Sequence, residues 1–381
     1  MTGKAFMGHA LTLAELRPAE PAFCRGAASF LQSDFWGSFK SRFGWKCFAF
    51  GAEWKDAEES AGALPLLVLY RRLGLGTGFA YVPWGPELPA GYGAAACQNA
   101  AAELAAALPS FLPKDTALIR FDFPWFTETD NTGMSGSSAE AFKRAFSRAA
   151  ADVQPPDTVL VDIARDEAAI LGTMKSKWRY NIGLAKKKGV AVRCIRANAV
   201  TASGSGELAG YYELYKETAR RDGISIHGFE YYRALFEEAA KYGIDARLYM
   251  ASHEGQDIAG IVTLFRGKEA VYLYGASSNQ KRNLMAPYAL QWEAMKEAKA
   301  AGCLCYDLYG IPPRPPEEDP NHPMAGLYRF KTGFIGDEET GGRIVHRPGS
   351  WDYTCRPLAK ALYSTAEKAR KKIRDMKKRH R

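Results

Sequence analysis

The chain has 381 residues, 47% of them hydrophobic and 24% charged, which is the make-up of a folded protein large enough for two cores and excludes wholesale disorder. Its longest apolar run, residues 63 to 70, is far too short to span a bilayer. Residues 1 to 16 are interrupted by Glu15 and lead to no cleavage site, so a cytoplasmic protein is expected. Seven cysteines without CxxC spacing and six histidines without an HxxxH pattern point away from a disulfide framework and from a metal centre. The net charge of +9 is local. Residues 356 to 381 carry eleven Lys or Arg against Glu367 and Asp375, and the remaining 355 residues balance.

In chain order, the spacing predicts a short amphipathic helix over 33–42, carrying Trp36 and Lys40, and a strand from Trp45 to Phe50. Leu64 to Arg71, a glycine turn (Gly74, Gly76, Gly78) and Phe79 to Val82 read as a hairpin. An alanine-rich helix over 94–108 and a strand over 117–123, with Asp122 at its end, follow. Residues 131–139, rich in Ser, Gly and Thr, read as a mobile loop. After Pro155-Pro156 a strand over 158–163 leads into one helix over 166–188, which carries Lys175, Lys177, Arg179, Lys186, Lys187 and Lys188 and ends at Gly189. A strand over 190–195, helices over 207–220 and 229–242, and strands over 246–252, 258–265 and 270–274 come next.

The two halves repeat one order: strand, turn, strand, small-residue helix, strand ending near an aspartate. The first closes at Asp122, the second runs through a helix over 287–301 to Asp307. A duplicated α/β unit with an antiparallel meander and a crossing helix is the expected architecture, and two such units offer a cleft between them. From Tyr306 to Phe334 the chain leaves a strand (303–308), passes a Pro- and acid-rich loop, and returns through Tyr328-Arg329-Phe330-Lys331. Long loops inside compact domains tend to carry function, so this stretch is read as a substrate-holding mouth. The final segment repeats Leu358, Leu362, Ala366, Ala369, Ile373 and Met376 at helical spacing. It fits a basic helix lying on an anionic membrane or on nucleic acid, and equally a solvated helix.

Seven stretches stand in order along the chain: QSDFWGSFKSRFGW (32–45), YVPWGP (81–86), KSKWRYNIGLAKKKGV (175–190), YKETARRDG (215–223), YLYGASS (272–278), the stretch 286–312 and GLYRFKTGF (326–334). Together they resemble the FemABX family of tRNA-dependent peptidoglycan-bridge aminoacyltransferases. The resemblance implies an α/β fold of two tandem acetyltransferase-like (GNAT-like) domains. It assigns 1–154 with 343–381 to a precursor-binding domain and 155–342 to the aminoacyl-tRNA side, with no coiled-coil arm. It also implies transfer of an amino acid from aminoacyl-tRNA to the side-chain amine of a cell-wall precursor's stem peptide. Aminoacyl-tRNA is then the co-substrate, no further cofactor is needed, and the acceptor is UDP-MurNAc-pentapeptide or lipid II. A monomer is expected, in the cytoplasm or at the inner face of the plasma membrane, with the basic helix touching anionic lipid.

Aminolysis of an activated ester passes through a tetrahedral oxyanion, so positioning and a nearby cation can supply much of the catalysis. By the resemblance, Lys331 is that cation and Phe330 a platform for a terminal base. Lys40 and Arg221 are expected on the precursor's diphosphate, with neighbouring Arg220 as the alternative register. Trp45 lines the same pocket, Asp122 and Tyr274 stand at strand ends facing the stem peptide, and Lys175, Lys177, Arg179 and Lys186 steer tRNA. Two other readings stay open. An acetyl-CoA-dependent acyltransferase would want a glycine-rich pyrophosphate loop where this chain has QKRNLMA (280–286), and a non-catalytic tRNA- or membrane-binding module would work through the basic tail.

Overall fold

A computed structural model describes residues 10–56, 60–74, 76–125, 142–202, 206–322, 324–336 and 338–379; the loop expected at 131–139 lies outside them. The backbone divides into two compact units, Met1–Pro156 with His346–Arg381, and Asp157–Val345.

In the first unit, β1 (Thr12–Ala19), β2 (Lys46–Lys55), β3 (Ser60–Leu73) and β4 (Thr77–Val82) form an antiparallel meander, with α1 (Asp34–Ser41) entering β2. Ser33 caps α1, its hydroxyl accepting from the Trp36 N–H. α2 (Ala94–Ala107) then crosses over, which lets β5 (Thr116–Asp122) pair parallel to β4. Its alanines are functional packing: Ala96, Ala100, Ala101 and Ala105 bury one small-residue face in a core with Phe50, Trp54 and Phe121. β14 (Ser350–Thr354) and β6 (Phe146–Arg148) complete seven strands.

The second unit repeats this plan. β8 (Ala191–Arg196), β9 (Asp245–His253), β10 (Gln256–Arg266) and β11 (Glu269–Ser277) form the meander, α8 (Ala286–Ala300) crosses over, and β12 (Cys305–Asp307) lies parallel to β11. β7 (Asp157–Asp162) pairs antiparallel with β12, and β13 (Gly342–His346) takes the edge. The duplication read from the sequence is therefore present strand for strand. The strand beyond the parallel pair comes from after the meander in the first unit and from before it in the second. α5 (Ala197–Ala202), α6 (Gly206–Asp222) and α7 (Phe229–Tyr242) lie between β8 and β9.

Two expectations fail locally. The single helix over 166–188 is two, α3 (Glu167–Thr173), capped by Asp166, and α4 (Ser176–Lys187). Met174 and Lys175 between them are extended, because Met174 is pulled into the core. The return after the Pro-rich loop is not a loop but a helix, α9 (Ala325–Thr332), and the strand before it is only three residues long.

The final helix, α10 (Pro357–Arg379), is fastened to β5 by a buried ion cluster. Arg120, 2% exposed, donates from Nε and Nη2 to Asp352 at 2.7 and 3.0 Å, and from Nη1 and Nη2 to Glu367 at 2.6 and 2.9 Å. Removing one member of such a cluster strands the others' charge out of water. Arg120→Met is expected to lower stability by about 3–5 kcal/mol in urea unfolding. Adding Asp352→Leu should recover a large part of that. A loss below about 1 kcal/mol would show that the cluster is not a fastening.

Candidate functional site

The two sheets differ at their parallel pair. In the first unit β4 and β5 stay paired from Gly78 opposite Thr116, through a one-residue register shift before Phe79, to Val82 opposite Phe121, and the Gly85 N–H still reaches the Asp122 carbonyl at 3.1 Å. In the second, β11 and β12 pair only over Glu269–Val271 and Cys305–Asp307. β11 then runs on to Ser277 with a bulge at Leu273, where Val262 faces Tyr274 and Thr263 faces Tyr272. β12 turns away, its Leu308 N–H bonding instead to Val159 at 2.9 Å. The second sheet is thus splayed where the first is closed, and open strand ends are where α/β folds place ligands.

Lys331 stands at that splay. Its side chain is 5% exposed, and Nζ donates to the carbonyls of Tyr309 and Gly310, both at 2.9 Å, with the Tyr272 ring 5.2 Å away. Tyr309 has φ 58°, a left-handed conformation that non-glycine residues seldom adopt, and its N–H is held by Asp307 Oδ1 at 2.7 Å. Asp307 Oδ1 also accepts from Thr158, while Oδ2 is buried without a hydrogen-bond partner among the described residues. Burial pulls the Lys331 ammonium down to about 7, and Asp307 acts in the opposite sense. At neutral pH both forms are present. The cation has three N–H groups and two carbonyls to use them on; the neutral amine satisfies both carbonyls and keeps a lone pair. Lys331 is thus a buried cation site, not a solvated surface lysine.

α4 packs on the Lys331 helix. The Trp178 indole N–H donates to the Phe330 carbonyl at 2.9 Å, and the Lys175 N–H to that of Gly333 at 3.0 Å. Gly333 permits this approach, since a Cβ there would lie 2.1 Å from the Trp178 ring. The structure thereby brings together the predicted transfer pair and the predicted tRNA helix. Lys175, Lys177 and Lys186 are exposed, whereas Arg179 donates to the carbonyls of Gly172 and Met174 and braces the helix break. Phe330 is half-buried, its ring edge-on to Tyr288 at 5.2 Å and Phe334 at 5.3 Å.

Tyr274, also on the splayed strand, packs with Tyr232 of α7 at 5.3 Å and Tyr215 of α6 at 6.3 Å, in a wall of phenols. Arg221 is occupied internally: it donates to the Ser277 carbonyl, the Asn279 side chain and both oxygens of Asp222. Arg220 is exposed and makes one bond, to the Lys216 carbonyl, so it is the member of the pair with donors to offer.

In the first unit, Lys40 Nζ lies 5.5 Å from the Trp36 ring and 5.9 Å from that of Trp45, which also neighbours Arg71 at 5.8 Å, Phe79 at 5.9 Å and Tyr81 at 6.4 Å. Burial first, and Arg71 second, lower the Lys40 pKa to about 8. Two cations held over aromatic faces make a phosphate-compatible patch, in which Arg71 went unnoticed in the sequence. Asp122 turns the other way. It is 3% exposed, accepts from Tyr81, Ser350 and the Gln154 N–H, and is pushed up to about 6 by burial, so its place is a structural tie rather than the peptide-facing one expected. Asp307, Tyr309 and Tyr272 were missed as site residues; only the break at Gly310-Ile311-Pro312 hinted at them.

The two sheets thus follow the tandem acetyltransferase-like (GNAT-like) plan expected from the sequence. The chain belongs to the FemAB family, whose model matches residues 24–254 and 246–368. Among curated relatives, the lipid II:glycine glycyltransferase of Staphylococcus saprophyticus is 22% identical over 282 residues, 58% of this chain and 63% of that protein. The protein of the same name from Staphylococcus haemolyticus is 22% identical over 307 residues, covering 64% and 68%. The chain therefore spans about two thirds of these relatives' length. The crystal structure of FemX matches with a TM-score of 0.71 at 18% identity, over 92% of this chain and all of that one.

The lowered Lys331 pKa sets a stability test. Between about 7 and the ordinary 10.5 the unfolded chain holds a proton that the folded chain has lost, so folding gains as pH rises through that window. The stability difference between wild type and Lys331→Met should shift in favour of wild type from pH 7 to 10. A difference flat with pH, in paired urea titrations, would mean that Lys331 titrates normally.

Proposed function

We propose that the protein transfers an amino acid from aminoacyl-tRNA to the side-chain amine of the stem peptide in a peptidoglycan precursor. The observation that carries this reading is Lys331, fixed by two carbonyls at the splayed strand pair with a third N–H left to donate. The acceptor amine attacks the ester carbonyl, and the tetrahedral oxygen takes up the charge that the third N–H of the Lys331 ammonium stabilises. The intermediate then collapses, the C–O bond to the ribose breaks, and the proton lost by the amine balances the one gained by the leaving oxygen. The ester is activated already, so no cofactor is required. Family membership supports the reading, and the relatives named above are glycyltransferases acting on lipid II.

In this scheme Lys175, Lys177 and Lys186 attract the tRNA backbone beside the site, and Phe330 meets its terminal base. Lys40, with Arg71 and Trp45, takes a precursor phosphate, and Arg220 is favoured over Arg221 for a second phosphate contact. Tyr274 and its phenol neighbours face the stem peptide. An acetyl-CoA reaction fits less well. Segment 280–286 has no glycine, and Pro287 in the first turn of α8 removes one of the N–H groups that a pyrophosphate would use.

The test incubates the purified chain with charged tRNA and with nucleotide-linked or lipid-linked precursor, and identifies products by mass. Lys331→Met should lower transfer by roughly 10²–10³-fold while precursor binding holds. Full turnover by that variant would remove Lys331 from the chemistry. Acylation from acetyl-CoA without tRNA would replace the donor. Lys40→Ala should instead weaken precursor affinity roughly tenfold or more with little change in turnover at saturation.

A further inference from the structure

We infer that α10 is a membrane-surface helix, which seats a Leu358–Leu362 face in the interface of an anionic leaflet while Tyr363 and Glu367 hold its other side on the first unit. Three observations combine. First, the inner face is fixed. Glu367 is chelated by buried Arg120, and the Tyr363 ring stacks on Phe79 with centroids 5.6 Å apart and planes 16° from parallel. Second, that anchoring points a different side outward. At 3.6 residues per turn, Leu358 and Leu362 share one stripe, roughly 100–140° round the helix from Tyr363. They are 84% and 72% exposed, more than any other large hydrophobic side chain among the described residues. Single exposed leucines are ordinary, but a pair one turn apart on a helix pinned by its other side is a built surface. Third, the chain's entire excess charge, eleven Lys or Arg against two acids, belongs to residues 356–381, and Lys368 and Lys372 are exposed.

An anionic leaflet uses both features: its surface potential attracts the cations and its acyl boundary takes the leucines. A nucleic acid would use only the cations. No helix among the described residues is long and apolar enough to cross a membrane, so the contact is interfacial. The inference depends on the helix and its fastening alone and stands apart from the transfer reading.

The experiment floats the full chain with phosphatidylcholine vesicles, with and without phosphatidylglycerol. Wild type should rise only with the anionic vesicles, and less so as salt is raised. Leu358→Ser with Leu362→Ser should cut the bound fraction roughly tenfold at unchanged helical content by circular dichroism. Lys368→Glu with Lys372→Glu should do likewise. The inference is overturned if the leucine variant floats like wild type, or if wild type ignores anionic vesicles and instead retards bulk tRNA in a gel.

Discussion

Two backbone carbonyls, those of Tyr309 and Gly310, hold the Lys331 ammonium where water hardly reaches, and much of the second unit is arranged to present them. An isolated buried cation is costly, and this one has no carboxylate in hydrogen-bond contact among the described residues. The carbonyls face it because β12 stops after three residues and Tyr309 takes a left-handed turn. Asp307 fixes that turn from within, bonded to Thr158 on one side and to the Tyr309 N–H on the other. From the opposite direction α9 delivers the lysine, and Trp178 fixes α9 through the Phe330 carbonyl. The strained turn and the desolvated amine are each unfavourable alone, and the surrounding packing enforces both, as expected where structure serves a site.

The duplicated fold has taken different roads in its two halves. The first unit closes its parallel pair and commits the end of that pair, Asp122, to Tyr81, Ser350 and Gln154, while Arg120 two residues back fastens a helix. In the second unit the corresponding strands part, and the aspartate there supports a turn instead of a sheet. Polar groups that are fully satisfied rigidify, and the second unit differs in keeping one buried carboxylate oxygen, Asp307 Oδ2, without a hydrogen-bond partner among the described residues.

The repeat was legible in the sequence because its signals are strong and local. Alternating apolar strands, two small-residue crossover helices and an aspartate at each strand end give the same order twice. The stretch holding Phe330 and Lys331 stood out through its long loop, while the roles expected of the two residues came only from family likeness. Their setting was not legible, because it is made by main-chain carbonyls, which leave no mark on residue identity. α9 was missed since its eight residues follow a proline-rich loop and lack a side-chain cap, so packing against Trp178 and Tyr288, not propensity, makes it a helix. The break at Met174 is a similar case: the lysine-rich sequence on either side reads as one helix, and burial of a single methionine divides it. Arg120, Asp352 and Glu367 lie up to 247 positions apart, a separation across which no spacing rule operates.

A lysine poised near neutrality responds to what binds beside it. Placing an anion at the third N–H of Lys331 favours the ammonium, just as Asp307 does, and the ammonium in turn favours the anion. Protonation and occupancy are therefore linked, and by thermodynamic necessity each strengthens the other by the same factor. In an aminolysis this has a direction. Under the proposed transfer, the neutral part of the population would offer its lone pair to an incoming ammonium proton before the donor ester arrives. Once negative charge develops on the tetrahedral oxygen, the protonated form is the favoured one. Under that proposal burial, by lowering the resting pKa without removing the group, would let one side chain meet both demands in sequence, which neither a solvated lysine nor an arginine could do.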